Sequence, residues 1–209
     1  MTAGLSMLAL LAPIAGPAAA APHSHPHRHH RRVHAVRHRR HHARSARAGA
    51  CPGAGLTAAA GNLSAVRAAV LCLVNAQRTT RGLPALGEDA RLDRSAQGWS
   101  ATMVGTGLFT HGSDFASRIS AVGYDWSAAA ENIATGFPTP AAVVAAWMSS
   151  TGHCRNILSP AYSAIGIGIV AAPVRGFASG AATWTEDFAL PMGRSAPSGR
   201  QGPANGCPY

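Results

Sequence analysis

The stretch from Thr139 to Val170, TPAAVVAAWMSSTGHCRNILSPAYSAIGIGIV, joins a predicted helix to a predicted strand. Thr139 is a suitable N-cap, and Pro140 suits the first helical position. The apolar face of this helix comes from Val143, Val144, Trp147 and Met148. The run from Ala164 to Val170 is short and apolar, which predicts a buried strand.

The rest of the folded part repeats these two kinds of pattern. Apolar residues at helical spacing predict three earlier helices, over Ser64–Arg81, Ala90–Val104 and Asp114–Val122. Alternating residues predict a last strand over Ala182–Ala189. Helices that cover a small sheet predict an α+β domain with α-β-α layers.

Composition divides the chain into four parts. Residues 1–21 contain an apolar run followed by small residues, which predicts a signal peptide, although no Lys or Arg precedes the run. Residues 22–50 are a His/Arg-rich linker that we expect to be disordered. Residues 51–190 form the predicted domain, and residues 191–209 form a Pro/Gly-rich tail. These features predict a secreted or cell-wall-associated protein without a transmembrane segment, and we expect a monomer.

The net charge of +10 belongs mainly to the linker, because residues 23–50 hold eight arginines and no acid. From Cys51 onward, ten arginines face eight acids, which leaves only +2. A solvated linker, adhesion to anionic envelope polymers and metal collection are all open interpretations of the basic segment. No specific nucleic-acid partner is expected.

Four cysteines in an apparently exported chain favour disulfides over metal thiolates. Three connectivities are possible, and we favour Cys51–Cys72 with Cys154–Cys207. The first bond would tie the start of the domain to the first helix. The second would fasten the tail beside His153.

Only two histidines, His111 and His153, lie outside the basic segment, and an Ala-rich connection between them carries Glu131. We expect all three residues in loops at the ends of ordered elements, where sites usually form. Two imidazoles and a carboxylate could hold zinc, act as an acid–base set, or form a hydrogen-bonded cluster without a ligand. The chain lacks His-Glu-x-x-His, Gly-x-Ser-x-Gly and a phosphate-binding Gly loop, which argues against the commonest secreted hydrolases.

Several motifs in order carry a family resemblance, and they are Leu71-x-x-x-Asn75-x-x-Arg78, Phe109-x-His111, Glu131-Asn132-Ile133-Ala134, Trp147-Met148, Gly152-His153-x-Arg155-Asn156-Ile157-Leu158, Ile165-Gly166-Ile167-Gly168 and Trp184-Thr185-x-x-Phe188. Together they resemble the bacterial branch of the CAP superfamily, which contains cysteine-rich secretory proteins, antigen 5 and pathogenesis-related 1 proteins. The resemblance implies a three-layer α-β-α sandwich of the CAP type, with a cleft lined by two histidines and two acids.

The resemblance assigns His111, Glu131 and His153 to that cleft, as catalytic residues or as ligands of a metal such as zinc. Ser150 stands where the family's other Glu is expected, so the set lacks one acid. Glu186 stands where relatives often have Gln. The leading hypothesis is a secreted protein that binds a small ligand, an envelope polymer or a divalent metal in this cleft. The alternatives are a metal-dependent hydrolase with Glu131 as base, and a lipid or sterol carrier.

Overall fold

The computed structural model describes residues 51–177, 181–199 and 206–208. The predicted signal peptide and His/Arg-rich linker lie outside these described residues. Within them, every helix is too short or too polar to cross a membrane.

In the described part of the chain, five α-helices and four strands follow a short 3-10 turn at Ala60–Asn62. The helices are α1 (Leu63–Thr79), α2 (Ala90–Thr106), α3 (Phe115–Ala121), α4 (Pro140–Ser149) and α5 (Thr151–Ile157). The strands are β1 (Gly87–Glu88), β2 (Trp126–Phe137), β3 (Ala164–Val170) and β4 (Ala182–Pro191).

The strands form one sheet in the order β1-β3-β4-β2, with β1 parallel to β3 and the other pairs antiparallel. One face of the sheet packs on α1, α4 and α5 through a large apolar cluster that includes Trp147, Ile167 and Trp184. The other face packs on α2 and α3, where Leu92 and Ile119 are buried. The α+β prediction and its three-layer α-β-α arrangement are therefore confirmed.

The helix and strand signals in the sequence are confirmed to within a few residues. Asp89 caps α2 by accepting from the backbone N–H of Arg91, and Thr139 caps α4 by accepting from that of Ala142. Two loop predictions were wrong. The Ala-rich connection that holds Glu131 is the twelve-residue strand β2, and His153 lies within α5. Alanine has low strand propensity and gives no polar–apolar alternation, so β2 has no clear sequence signal.

Gly166 and Gly168 explain how α2 approaches β3 so closely. A Cβ atom on Gly166 would lie 2.0 Å from the backbone carbon of Leu92, and one on Gly168 would lie 2.1 Å from that of Ala96. These contacts involve helix backbone, so no side-chain rotation could relieve them. The Ile165-Gly166-Ile167-Gly168 pattern thus alternates core residues on one face with bare backbone on the other.

Side chains cover the part of the β3 edge that β1 leaves unpaired. The N–H of Ile167 donates to Asp93 Oδ1 at 2.8 Å, and the carbonyl of Ile167 accepts from Arg67 Nε at 2.9 Å. Gln97 binds both the N–H and the carbonyl of Ile169 at 3.0 Å. An exposed strand edge invites pairing with another chain, and these side chains block it.

Arg78 joins α1 to the segment that follows α5. Its side chain is fully buried, and its guanidinium donates to four backbone carbonyls, those of Pro84, Ile157, Ser159 and Tyr162. Burial without a carboxylate partner lowers the pKa of Arg78 to about 10. Arg78 therefore helps to hold the end of α5, the helix that carries His153.

Both predicted disulfides form. Cys51 pairs with Cys72 in α1, and Cys154 in α5 pairs with Cys207 in the tail. Thr151 Oγ1 also donates to the carbonyl of Pro208, which fixes the described end of the tail against α5.

Candidate functional site

The site is centred on Glu131, whose side chain is 1% exposed in the middle of β2. Its Oε1 lies 2.8 Å from His111 Nδ1, and its Oε2 pairs with the guanidinium of Arg118. A carboxylate only accepts hydrogen bonds, so neutral His111 must carry its proton on Nδ1. This leaves His111 Nε2 with a free lone pair, on a side chain that is 49% exposed.

Arg118 in α3 connects the His111 loop to Glu131. Its guanidinium stacks on the ring of Trp99 at 3.8 Å, and it donates to the backbone carbonyl of His111 at 3.1 Å. Gly112 has a φ of 71°, and a Cβ there would lie 2.9 Å from the Trp99 ring. The loop can therefore pass over Trp99 only because residue 112 is glycine.

His153 approaches the same part of β2 from α5. Its backbone carbonyl accepts from the Asn132 amide at 3.2 Å. Burial lowers the pKa of the His153 imidazole, and the charge of nearby His111 lowers it further. The backbone of His153 thus lies beside Asn132, next to the Glu131 position on β2.

Asn156 in α5 fixes the helix against the edge of β2. Its amide donates to the backbone carbonyl of Glu131 at 3.3 Å and to Asn132 Oδ1 at 2.9 Å. Trp147 Nε1 donates to the carbonyl of Ile133 at 3.3 Å, farther along the same edge. These bonds hold α4 and α5 against the outer edge of β2, in the position that a further strand of the sheet would occupy.

An open cleft of about 420 Å³ lies beside Glu131. It combines polar and apolar walls, formed by His111, Phe115, Ala129, Ala130, Glu131, Asn156 and Tyr162. This volume falls in the range of about 300–1,000 Å³ that is usual for ligand sites.

Two buried acids in β4, Glu186 and Asp187, belong to the surroundings of the site, and neither was assigned to it from the sequence. Asp187 lies opposite Glu131 in the β2–β4 register, and Glu186 lies opposite Asn132. Neither Asp187 oxygen has a hydrogen-bond partner among the described residues, while Glu186 accepts one bond, from Asn132 at 3.1 Å. The alternation of Thr183, Thr185 and Asp187 was the available signal for Asp187.

Burial raises the pKa of both acids, to about 8 for Glu186 and about 7 for Asp187. The hydrogen bond from Asn132 offsets part of the shift at Glu186, and the nearby Ser95 offsets part of that at Asp187. The charge of Glu131 adds to the shift at Asp187. Both groups are therefore held largely as neutral acids in the folded protein at mildly acidic pH.

We expect the protein to lose stability as the pH rises. Because the pKa of each acid is higher in the folded state than in the unfolded state, the folded state binds more protons. The resulting contribution to the free energy of unfolding is complete near pH 4 and is lost by about pH 8. Urea unfolding at pH 5 and pH 8 should differ by at least about 1 kcal/mol in favour of pH 5. The lowered pKa of His153 has the opposite effect, because it makes the free energy of unfolding rise with pH.

The control for this pH dependence is Glu186→Gln, which keeps an acceptor for Asn132 but cannot ionise. We expect its free energy of unfolding to change less between pH 5 and pH 8 than that of the unsubstituted protein. An equal pH dependence in both proteins would contradict the assignment to Glu186.

Ser150 occupies the N-cap position of α5 and makes no side-chain capping bond. The acid that the resemblance places there is absent, but Asp187 supplies a second carboxyl group next to Glu131 from another strand. Among the described residues, no group of three or more His, Cys, Asp or Glu side chains has an arrangement that could hold a metal ion.

An α-β-α sandwich with His111 bonded to a buried carboxylate on the edge strand agrees with the CAP class of protein that the motifs resemble. The chain belongs to the CAP (cysteine-rich secretory protein) family. The sequence model of that family matches residues 71–188, which is more than half of the sequence. It is similar to a Bacillus subtilis protein named uncharacterized protein YkwD, with 37% identity over 137 residues. The match covers 63% of this chain and 50% of YkwD, so the chain spans about half the length of that relative.

Two solved structures share the fold. An extracellular protein with an SCP domain from Bacillus anthracis is 25% identical, with a TM-score of 0.50 over 62% of this chain and 40% of that one. An outer surface protein from Borrelia burgdorferi is 18% identical, with a TM-score of 0.53 over 59% of this chain and 90% of that one. The likeness to the Borrelia protein supports the fold alone. The two disulfides fit an oxidising compartment.

Proposed function

We propose that this is an exported CAP-domain protein that binds an envelope polymer or a small ligand in the cleft beside His111, Glu131 and His153. The observation that carries the proposal is the way Glu131 is held. Both of its oxygens are engaged, by His111 and Arg118, and its side chain is buried. Such a carboxylate orients an imidazole towards the cleft but is poorly placed to remove a proton from water.

The engagement of both Glu131 oxygens also weighs against the alternative of a metal-dependent hydrolase that uses Glu131 as its base. Among the described residues, no hydroxyl or thiol is hydrogen-bonded to either imidazole. The His111 Nε2 lone pair and the neutral His153 ring are better suited to accept and donate hydrogen bonds to a bound ligand. In the proposal, Glu131 and Arg118 are positioning residues.

The experiment uses the imidazole NMR signals of the purified protein, with soluble cell-wall glycopeptide fragments as the probe. We expect saturable shifts of the His111 and His153 ring signals. The binding that causes them should be lost in His111→Ala, and no cleavage products should form. Absence of shifts at millimolar fragment would contradict the proposal. Cleavage that disappears in the His111→Ala, His153→Ala double variant would instead support the hydrolase.

Zinc is a weaker candidate ligand. A three-ligand site does not fit the arrangement described, because both oxygens of Glu131 are already bonded. The two imidazoles alone could bind a metal only loosely. We therefore expect a millimolar chelator, or added zinc, to move the melting temperature by less than about 4 °C, equivalent to roughly 1 kcal/mol. A larger shift that disappears in His111→Ala would contradict this expectation and favour zinc.

A lipid-facing role is favoured by one specific feature. Leu108, Phe109 and Phe177 are 63%, 40% and 46% exposed, and the two Phe rings stack edge to face at 5.5 Å. Exposed aromatic and aliphatic side chains at loop tips suit contact with acyl chains. Vesicle co-sedimentation that is reduced by Phe109→Ser would support this role, and sedimentation unchanged by that substitution would oppose it.

A further inference from the structure

The edge of β2 beside the cleft has backbone groups without partners in the described part of the chain. The backbone N–H of Ser163 donates to the carbonyl of Ala189, so the polar groups of Ala189 point towards β3. Ala189 lies opposite Ala129 in the antiparallel register. In such a pair both residues turn their backbone polar groups away from each other, so those of Ala129 point to the free edge.

The neighbouring edge positions follow the same geometry, and their outward carbonyls are covered. The outward carbonyl of Glu131 is bound by Asn156, and that of Ile133 is bound by Trp147. Elsewhere in the sheet, Asp93, Arg67 and Gln97 cover the open edge of β3. Ala129 has no such partner among the described residues, although uncovered strand edges are normally avoided.

The exposed edge at Ala129 is also the floor of the cleft. Phe115 and Tyr162, which pack on opposite faces of the sheet, line it together with His111 and Glu131, whose end of the cleft is called the inner end below. Side chains alternate between the two faces of a strand, so a strand added here would direct successive side chains towards Phe115 and Tyr162. Main-chain hydrogen bonds then supply affinity, and the flanking pockets supply selectivity.

Charge at the inner end restricts the residue that fits there. Arg118 compensates the carboxylate of Glu131, and the imidazole of His111 carries no negative charge. Asp187 adds little negative charge at mildly acidic pH, because burial keeps it protonated. This end therefore suits an uncharged or acidic side chain better than a Lys or Arg.

We propose that the cleft binds an extended peptide segment, which adds as a strand to the edge of β2 at Ala129 and places an uncharged or acidic residue next to His111. The inference rests on the proposed function, because it names the ligand class of that cleft. Peptide backbone is the chemistry that matches a bare N–H and carbonyl on a strand edge.

The test uses the full chain with its disulfides intact and the acetylated, amidated pentapeptide Thr-Val-Glu-Val-Thr as the probe. We expect saturable shifts of the Ala129 and Glu131 amide signals and at least about tenfold slower hydrogen exchange of the Ala129 amide. Ala129→Pro, which removes the outward N–H at an edge position that tolerates proline, should abolish binding. The matched control Ala129→Val keeps that N–H and should bind.

A second probe keeps the test decisive even if Ala129→Pro fails to fold. The same peptide with N-methylated Val, Glu and Val residues cannot donate from any of its three central positions, whichever of them faces β2, and we expect it not to bind the unsubstituted protein. Equal binding of both peptides, undiminished binding to folded Ala129→Pro, or no saturable shift at about 1 mM peptide would overturn the inference. If cell-wall fragments shift the imidazole signals but the pentapeptide does not bind, the peptide is the wrong ligand class and the proposed function stands. If the pentapeptide binds but the cell-wall fragments cause no shifts, the strand-edge site is retained and the proposed function is contradicted.

Discussion

Replacing Arg78 with Ala is expected to remove about 3–5 kcal/mol of folding free energy, a large part of the total for a domain of this size. The substitution leaves four backbone carbonyls without their donor, and three of the four bonds are 2.8 Å long. Loss of the buried charge, whose pKa is lowered by burial, returns only part of that energy. Urea unfolding with disulfides intact measures the change.

Arg67→Ala is the matched control for Arg78→Ala. Arg67 also donates to a backbone carbonyl, that of Ile167, but with a single bond and on the surface of the domain. We expect a loss of only about 1 kcal/mol. A similar loss of folding free energy in both variants would show that Arg78 does not join α1 to the segment after α5 in the way proposed. The ring signals of His153 should shift in Arg78→Ala alone, because Arg78 holds the end of α5.

Glu131→Gln is expected to cost about 2–4 kcal/mol and to release the His111 ring from its fixed orientation. The variant keeps the shape of the side chain but leaves Arg118, which is only 20% exposed, without its carboxylate. It also replaces a charged acceptor with a neutral one at His111. Thermal or urea unfolding gives the stability change, and line widths of the His111 ring signals report its mobility.

Asp89→Asn provides the comparison for Glu131→Gln. Asp89 also pairs with an arginine, Arg91, at 2.9 Å, but both side chains are partly exposed. Asn can still cap α2, so we expect a loss of less than about 1 kcal/mol and no change at His111. If Glu131→Gln were as mild as this variant, the buried ion pair would not be the support of the site.

The elements predicted correctly are those with local signals. Thr139 and Pro140 mark the start of α4 because capping depends on adjacent residues. The cysteine pairing was one of three possible connectivities, and it was favoured because it fastens each end of the domain to a nearby helix. Strand β2 was missed because its alanines are specified by packing between β4 and α5, which is a tertiary effect.

The site was predicted in part, for a similar reason. His111, His153 and Glu131 were identified from residue type and family resemblance, and the structure brings them to one part of β2. Arg118 and Asp187 were not identified, because their relation to Glu131 depends on the α3–β2 contact and on the β2–β4 register. Sequence separation carries no information about either.

The most direct test of the account is the tautomer of His111, read from long-range proton–nitrogen NMR correlations of the imidazole at neutral pH. The account predicts that neutral His111 carries its proton on Nδ1, hydrogen-bonded to Glu131, with Nε2 unprotonated and facing the cleft. In Glu131→Gln this preference should weaken. A neutral His111 protonated mainly on Nε2, or a tautomer balance identical in the two proteins, would contradict the claim that Glu131 positions this imidazole for ligand binding.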